Sequence, residues 1–328
     1  MVNLSIAIPS YNGRDVLRRA LASLAKEIPE AEVIVIDGHS VDGSAAMVKE
    51  EFRHVRLLER PNFGWGHATN RGLFAARGKY LLMLNSDVFL TREAAASMKR
   101  ILDEDPTVGA VGPVLVDEEG NREKVFGKIN LRNYVPTTRR SRVGLLSGAC
   151  LMTRRDVLAD IGGIDERFHF YNDDTDWCLR VRRAGYGLEQ VPDKVTHIGG
   201  ASTPTDPRYT LEAHRGFLFM MDKHFPQAFS EFFRRAMWFR GFVYSRFDRR
   251  PQHRDMWARL ESLALTGDYL QSPFPLSGRE VEFVPMSPPP SGDNGTNGSN
   301  GHGYPAGSNG SALHAEALDL ADALDVAE

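Results

Sequence analysis

The sequence predicts an α/β fold: a doubly wound, mostly parallel sheet flanked by helices. Three observations carry this. Short apolar runs alternate with helically spaced apolar residues over roughly the first 200 residues. The run Val33-Ile34-Val35-Ile36 has no polar alternation, as a strand buried on both faces requires. Polar residues able to act on a ligand follow directly on apolar runs, as at the carboxyl ends of parallel strands. These are Tyr11 and Asn12, Asp37, Asn62, and Asn85 to Asp87.

In order along the chain, Leu4 to Ile8 reads as a strand stopped by Pro9. Val16, Leu17, Ala20, Leu21 and Leu24 mark a helix over 14–25. After the strand at 33–36 come a helix over 43–52 and a strand from Val55 to Leu58. A helix over 66–77, a buried strand from Tyr80 to Leu84, a helix over 92–103 and a strand near 109–115 continue the alternation. Residues 211–247 are rich in Phe, Met, Trp and Arg. Residues 286–311 are almost wholly Gly, Asn, Ser and Pro, which bury too little apolar area to offset chain entropy. The expected organisation is an α/β domain over 1–204, an aromatic and basic helical extension over 205–285, a disordered linker over 286–311, and an acidic amphipathic tail over 312–328. The linker contains three Asn-Gly-Ser/Thr triplets, at Asn294, Asn297 and Asn309, read here as chance matches to a glycan signal.

Composition narrows the function classes. The chain has 328 residues, 42% of them hydrophobic and 25% charged, which excludes disordered, collagen-like and disulfide-scaffold classes. Forty basic against 43 acidic side chains leave a net charge of −3, so no nucleic-acid partner is expected. Two cysteines, Cys150 and Cys178, are expected to be buried, reduced thiols. The N-terminus lacks a basic segment followed by a long apolar one, and no stretch reaches the roughly 18 apolar residues of a membrane span. The expected location is cytoplasmic. The segment 223–254 holds eight Lys/Arg and two Asp/Glu among nine aromatics; it suits packing on the sheet domain and peripheral contact with an anionic membrane, such as the inner face of the plasma membrane, and the two are compatible.

Four stretches could carry chemistry. Asn85-Ser86-Asp87 closes a buried strand, where an aspartate suits Mg²⁺ or Mn²⁺, or alternatively caps the helix that begins near Thr91. His169 to Arg180 contains Asp173, Asp174 and Asp176 at a helix start. Asp176 and Arg180 are spaced to pair, leaving Asp173 and Asp174 crowded beside aromatics as candidate general bases. His197 ends a strand beside two glycines, as a metal ligand or as a core histidine. Asn62 to Gly72 resembles a dinucleotide fingerprint only superficially, because Thr69 stands at its third glycine position. Its glycines remain suited to lying against a sugar or phosphate.

Taken together, these motifs resemble the family-2 inverting glycosyltransferases of the GT-A fold. The series is Pro9-Ser10-Tyr11-Asn12, Asp37-Gly38-x-Ser40-x-Asp42-Gly43, Asn62-x-Gly64…Asn70-x-Gly72, Asn85-Ser86-Asp87, Gly148-Ala149, Asp173-Asp174-x-Asp176 and His197. It is most similar to the rhamnosyltransferase-like branch, and the resemblance covers residues 3–204. It implies that Pro9, Tyr11 and Asp37 border the base and ribose of the donor. Asn12, Ser86 and Gly148 fall among the donor-binding positions, and Asn70 and Arg71 match the loop facing the nucleotide or diphosphate. Asp87 and His197 match metal ligands, for Mg²⁺ or Mn²⁺. Asp174 matches the acid that deprotonates the acceptor hydroxyl. Asn85 departs from the family's leading acid, which weakens metal binding or leaves Asn85 to touch the sugar. Asp173 stands where the family usually has Glu, so the base is one of Asp173 and Asp174, with Asp174 favoured. The implied partners are a dTDP- or UDP-sugar donor and a glycan or lipid-linked acceptor. A sugar-1-phosphate nucleotidyltransferase is disfavoured because Pro9 to Gly13 supplies no Gly-rich, Arg/Lys-bearing loop; a catalytically inactive nucleotide-sugar-binding protein is the other alternative.

Overall fold

A computed structural model describes residues 3–122, 139–199, 206–269 and 271–276. The expected linker at 286–311, its three triplets and the acidic tail at 312–328 lie outside the described residues, as do Gly200 to Ser202.

Among the described residues nine strands form one mixed sheet: β1 (Leu4–Ser10), β2 (Glu32–Asp37), β3 (Arg56–Glu59), β4 (Tyr80–Leu84), β5 (Val88–Phe89), β6 (Val108–Val116), β7 (Ser141–Val143), β8 (Cys150–Arg154) and β9 (Gly187–His197). Their order is β3-β2-β1-β4-β8-β6-β9-β5, with β7 also paired to β9. β1 to β4 run parallel to one another, as the unbroken apolar run in β2 predicts. β8 was not foreseen. It enters antiparallel to both β4 and β6, which makes the sheet mixed.

Alternate residues of each strand feed opposite faces. Ile6, Ile8, Val33, Val35, Leu82 and Leu84 point to one. There they meet α1 (Arg14–Glu27), α2 (Ser44–Glu51) and α4 (Arg92–Glu104). Ala7, Ile34, Ile36, Leu81 and Met83 point to the other, against α3 (Trp65–Ala75), α5 (Arg155–Ile161) and α6 (Asp173–Arg183). The Thr91 side chain accepts the Ala94 N–H and caps α4, so that work does not fall to Asp87. Cys150 and Cys178 are buried free thiols, and burial pushes the Cys150 thiol well above its usual value.

α7 (Pro207–His224), α8 (Gln227–Phe247) and α9 (Pro251–Thr266) form a third cluster. Leu211, Leu218 and Met221 of α7 meet Phe168 and Leu179 of the sheet domain, while Phe233 of α8 and Trp257 of α9 close it from outside. The extension is therefore packed onto the sheet domain. Among the described residues no helix is long and apolar enough to cross a membrane.

The glycines around α3 serve close packing within the chain rather than an open cradle. Gly64 has φ +104°, and a Cβ there would lie 2.2 Å from the His169 carbonyl oxygen. A Cβ on Gly66 would lie 2.6 Å from Ile164, and one on Gly72 2.7 Å from Ala7. We expect Gly64→Ala to destabilise the fold by about 3 kcal/mol, from a left-handed backbone plus a backbone clash. Gly120→Ala, with φ +81° and open space around it, is expected to cost about 1 kcal/mol from backbone conformation alone. Urea unfolding of the two variants checks this; equal losses would show that the approach of His169 is not tight.

Candidate active site

The carboxyl ends of β1, β2 and β4 open on one side of the sheet. Ser10 is in register with Asp37, and the Gly38 N–H donates to the Ser10 carbonyl at 2.9 Å. Asp37 is buried; its Oδ2 accepts the Ser40 N–H at 2.9 Å, while Oδ1 has no hydrogen-bond partner among the described residues. Asn12, with φ +50°, ties the two strand-end loops together: its N–H donates to Ser40 Oγ and its Oδ1 accepts the Val41 N–H. The Asn12 amide oxygen thus supports the loop wall instead of facing outward. Tyr11 is half exposed beside it.

The second wall starts at the end of β4. The Asn85 N–H donates to the Ala149 carbonyl at 2.9 Å, and Asn85 Oδ1 accepts the Trp65 indole N–H at 2.8 Å. Three residues on, β5 pairs antiparallel with the end of β9, setting Val88 opposite His197. The Ile198 N–H donates to the Asp87 carbonyl at 3.1 Å. That register brings His197 Nε2 to 3.3 Å from Asp87 Oδ1, both side chains buried. The pair offers one hard oxygen and one imidazole nitrogen, a donor set that Mn²⁺ or Mg²⁺ accepts. Among the described residues no group of three or more His, Cys, Asp or Glu is placed to hold a metal, so other ligands would have to complete the sphere.

The third wall is the start of α6, entered through Tyr171 and Asn172, both at φ +65°. The Gly148 N–H donates to Asp174 Oδ2 at 3.0 Å, and the Thr175 N–H donates to Asp174 Oδ1 at 2.7 Å. A Cβ on Gly148 would lie 2.8 Å from the Trp65 ring and 3.0 Å from Asp174 Cβ. Trp65 therefore links Asn85, two residues before Asp87, to the Asp174 wall. Asp173 is buried, and its Oδ1 accepts the Asp174 N–H at 3.0 Å. Asp176 turns the other way, to Arg180 Nε at 2.9 Å and His224 Nε2 at 2.7 Å. Burial opposes its charge, but those partners outweigh burial and lower its pKa. The expected Asp176–Arg180 pair is present and leaves the other two acids to the crevice.

Asn70 and Arg71 are not on an open loop. Both lie in α3; Asn70 is fully buried, exchanging hydrogen bonds of 2.8 Å with the Ile164 N–H and carbonyl. Glu166, which sequence reasoning missed, gathers them. It accepts from Asn70 Nδ2 at 2.9 Å, Arg71 Nη2 at 3.0 Å and His67 Nδ1 at 2.8 Å. Burial would push its carboxyl up, yet the hydrogen bonds from His67 and Asn70 and the His67 and Arg71 charges hold it down at about 2. A second missed support is the fully buried Glu212–Arg215 pair of α7. Glu212 accepts the His169 N–H at 3.0 Å, and Arg215 donates to the carbonyls of Arg167 and Tyr269. The His169 ring stacks on Phe274 with centroids 4.6 Å apart.

The sequence profile of Glycosyl transferase family 2 matches residues 5–162. An N-acetylglucosaminyl-diphospho-decaprenol L-rhamnosyltransferase of Mycobacterium tuberculosis is 31% identical over 265 residues, 67% of this chain and 85% of the relative. The chain belongs to glycosyl transferase family 2. It is a glycosyltransferase, as the motif series implies. A pre-mycofactocin glycosyltransferase of the same species is 30% identical over 203 residues, 58% of this chain and 41% of that protein. Two solved structures share the fold at 18% identity: a Pyrobaculum calidifontis mannosyltransferase in complex with GDP-Man and Mn²⁺, at TM-score 0.51 over 81% of this chain and 76% of that one, and residues 1–349 of S. aureus TarS with UDP-GlcNAc, at 0.52 over 83% and 81%. These likenesses give the GT-A fold to the nine-stranded sheet.

The low Glu166 value has a consequence in acid. Its folded pKa lies below the ordinary 4.5, so its contribution is complete above about pH 4.5 and is lost as pH falls toward 2. Glu166→Gln is expected to lower neutral-pH stability by about 2 kcal/mol and to flatten the loss over that interval. Denaturant melts of both proteins from pH 7 down to 2 check it; parallel curves would contradict it.

Proposed function

We propose that this glycosyltransferase inverts configuration at the anomeric carbon, moving a sugar of the rhamnose type from a dTDP- or UDP-activated donor to a glycan or lipid-linked acceptor, on the cytoplasmic side. The observation that carries the reading is the 3.3 Å approach of His197 Nε2 to Asp87 Oδ1 in the crevice where Gly148 holds the Asp174 carboxylate. The relative named for decaprenyl-diphosphate N-acetylglucosamine supports a lipid-linked acceptor, and the neighbours named with UDP-GlcNAc and GDP-Man support a nucleotide-sugar donor.

In this reading Pro9, Tyr11 and Asp37 border the base and ribose, with the unpartnered Asp37 Oδ1 taking a donor hydroxyl or N–H. Asn85, Ser86 and Gly148 border the sugar, and Asn85 keeps its amide oxygen on Trp65. Asn70 and Arg71 act on the donor side indirectly, by bracing the segment that ends in His169. Asp87 and His197 would hold Mg²⁺ or Mn²⁺, which when bound neutralises charge on the departing diphosphate. Asp174 accepts the proton of the acceptor hydroxyl as that oxygen attacks the anomeric carbon. The N–H groups of Gly148 and Thr175 fix its two oxygens, so the carboxylate meets the hydroxyl without reorganising. Asp173, buried and bonded to the Asp174 backbone, positions it. One displacement from the face opposite the leaving group inverts the centre.

Asp174→Asn is expected to bind donor as wild type does and to lose transfer by about 10²- to 10⁴-fold. Asp87→Ala is expected to weaken donor binding in the presence of Mn²⁺ and to change it little in chelator. Calorimetric donor titrations alongside turnover assays separate the two, and full activity of Asp174→Asn would remove the base assignment. Gly148→Ala, which crowds Trp65 and Asp174, is expected to lower kcat about tenfold or more with a near-normal donor Kd.

A further inference from the structure

One surface is explained neither by the fold nor by the reaction. α8 buries Ser230, Phe233, Met237 and Gly241 against the rest of the helical cluster. On its opposite side Phe232, Ala236, Phe239, Val243 and Phe247 recur at i, i+4, i+7, i+11 and i+15. At 3.6 residues per turn these fall in one stripe, about 22 Å long at 1.5 Å per residue. Phe232, Phe239 and Phe247 are 57%, 60% and 75% exposed. Ala236 and Val243 are half-buried and the Phe232 ring edge meets Phe233, but the faces of Phe232, Phe239 and Phe247 are turned to solvent, an apolar stripe beyond what the core needs.

Guanidinium groups border the stripe. Arg235 lies on α8 beside Phe232 and Phe239, with its side chain 83% exposed and its nearest carboxylate 3.9 Å away. Arg249 and Arg254 are exposed at the turn into α9. The segment 223–254 carries eight Lys/Arg against two Asp/Glu in a chain whose net charge is −3. Lys223, Arg234, Arg246 and Arg250 are held in ion pairs of 3.1 Å or less, and Arg235, Arg249 and Arg254 are the exposed cations near the open phenylalanines. Opposed apolar and cationic groups on a helix that cannot span a bilayer are what a helix lying in the headgroup plane needs. A second copy of the chain is the poorer occupant, because symmetric pairing along this stripe would set two cationic helices against each other.

We propose that the outer face of α8 is a docking surface for an anionic lipid bilayer, with Phe232, Phe239 and Phe247 entering the acyl boundary and the bordering arginines meeting lipid phosphates. The surface stands apart from the crevice and does not depend on how the transfer reaction is assigned.

The test is flotation of the full chain with vesicles of phosphatidylcholine alone, or of phosphatidylcholine mixed with phosphatidylglycerol. The wild type is expected to float with the mixed vesicles and to be released by raised salt. Replacing Phe232, Phe239 and Phe247 by Ser, each an exposed position, is expected to weaken partitioning by about tenfold or more per residue while leaving the thermal midpoint unchanged. Arg235→Glu with Arg249→Glu is expected to abolish the preference for phosphatidylglycerol, which gives an independent reading should the Ser variant fold poorly. Wild type that stays down with both vesicles, or variants that float as it does, would overturn the proposal. So would light scattering that finds a wild-type dimer, a monomeric Ser variant and no flotation, since the face would then belong to a second copy.

Discussion

A ladder of two rungs, Val88 opposite His197 and Phe89 opposite Thr196, sets His197 beside Asp87, the pair proposed to hold a divalent metal. β9 reaches the crevice parallel to β6, more than a hundred residues after Asp87 in sequence, and only this register brings His197 beside that aspartate. Side chains alternate across a strand, so a slip of one residue would turn His197 to the other face of the sheet. The Ile198 N–H bonded to the Asp87 carbonyl extends the same register past the strand end. A weak two-residue strand is held because β9 is itself fixed along most of its length by β6.

The opposite wall is rooted in buried acids. Glu166, Asp176 and Glu212 all work on the chain between residues 161 and 183, and each is almost wholly enclosed. Glu166 ties that segment to α3, Glu212 holds its His169 N–H to α7, and Asp176 binds α6 to the end of α7. A carboxylate removed from water is costly unless its partners are in place. These acids therefore favour a single arrangement of the segment that presents Asp174. The extension over α7 to α9 is consequently part of what shapes the crevice, because Glu212, Arg215 and His224 come from it.

Much of this was legible in the sequence, and the rest was not for physical reasons. The apolar run of β2, the helical spacing in α1 and the polar residues at strand ends are local signals, and each lies where periodicity puts it. Asp87, Asp174 and His197 were visible as strand-end or helix-start residues, but the approach of His197 to Asp87 needs the sheet order, which no local pattern contains. β8 went unread because three apolar residues, Cys150 to Met152, followed by Thr153 and Arg154 carry no period of their own, and β5 is too short for any. Glu166 and Trp65 act on partners 99 and 20 residues away, and in isolation a glutamate and a tryptophan of those contexts are unremarkable. The periodicity over 66–77 places Asn70 and Arg71 in a helix, as found, whereas the resemblance puts them on a loop facing the nucleotide; their turn toward Ile164 and Glu166 depends on contacts more than ninety residues away.

The account rests on a divalent cation and a proton acceptor sharing one crevice. Crystals grown with Mn²⁺ and a nucleoside diphosphate, measured at the manganese absorption edge, address this directly. A single anomalous peak bonded to Asp87 and His197, with the terminal phosphate reaching it and the Asp174 carboxylate facing the space beyond that phosphate, is the result predicted. A peak bonded elsewhere, or a diphosphate lying away from residues 87 and 197, would contradict it.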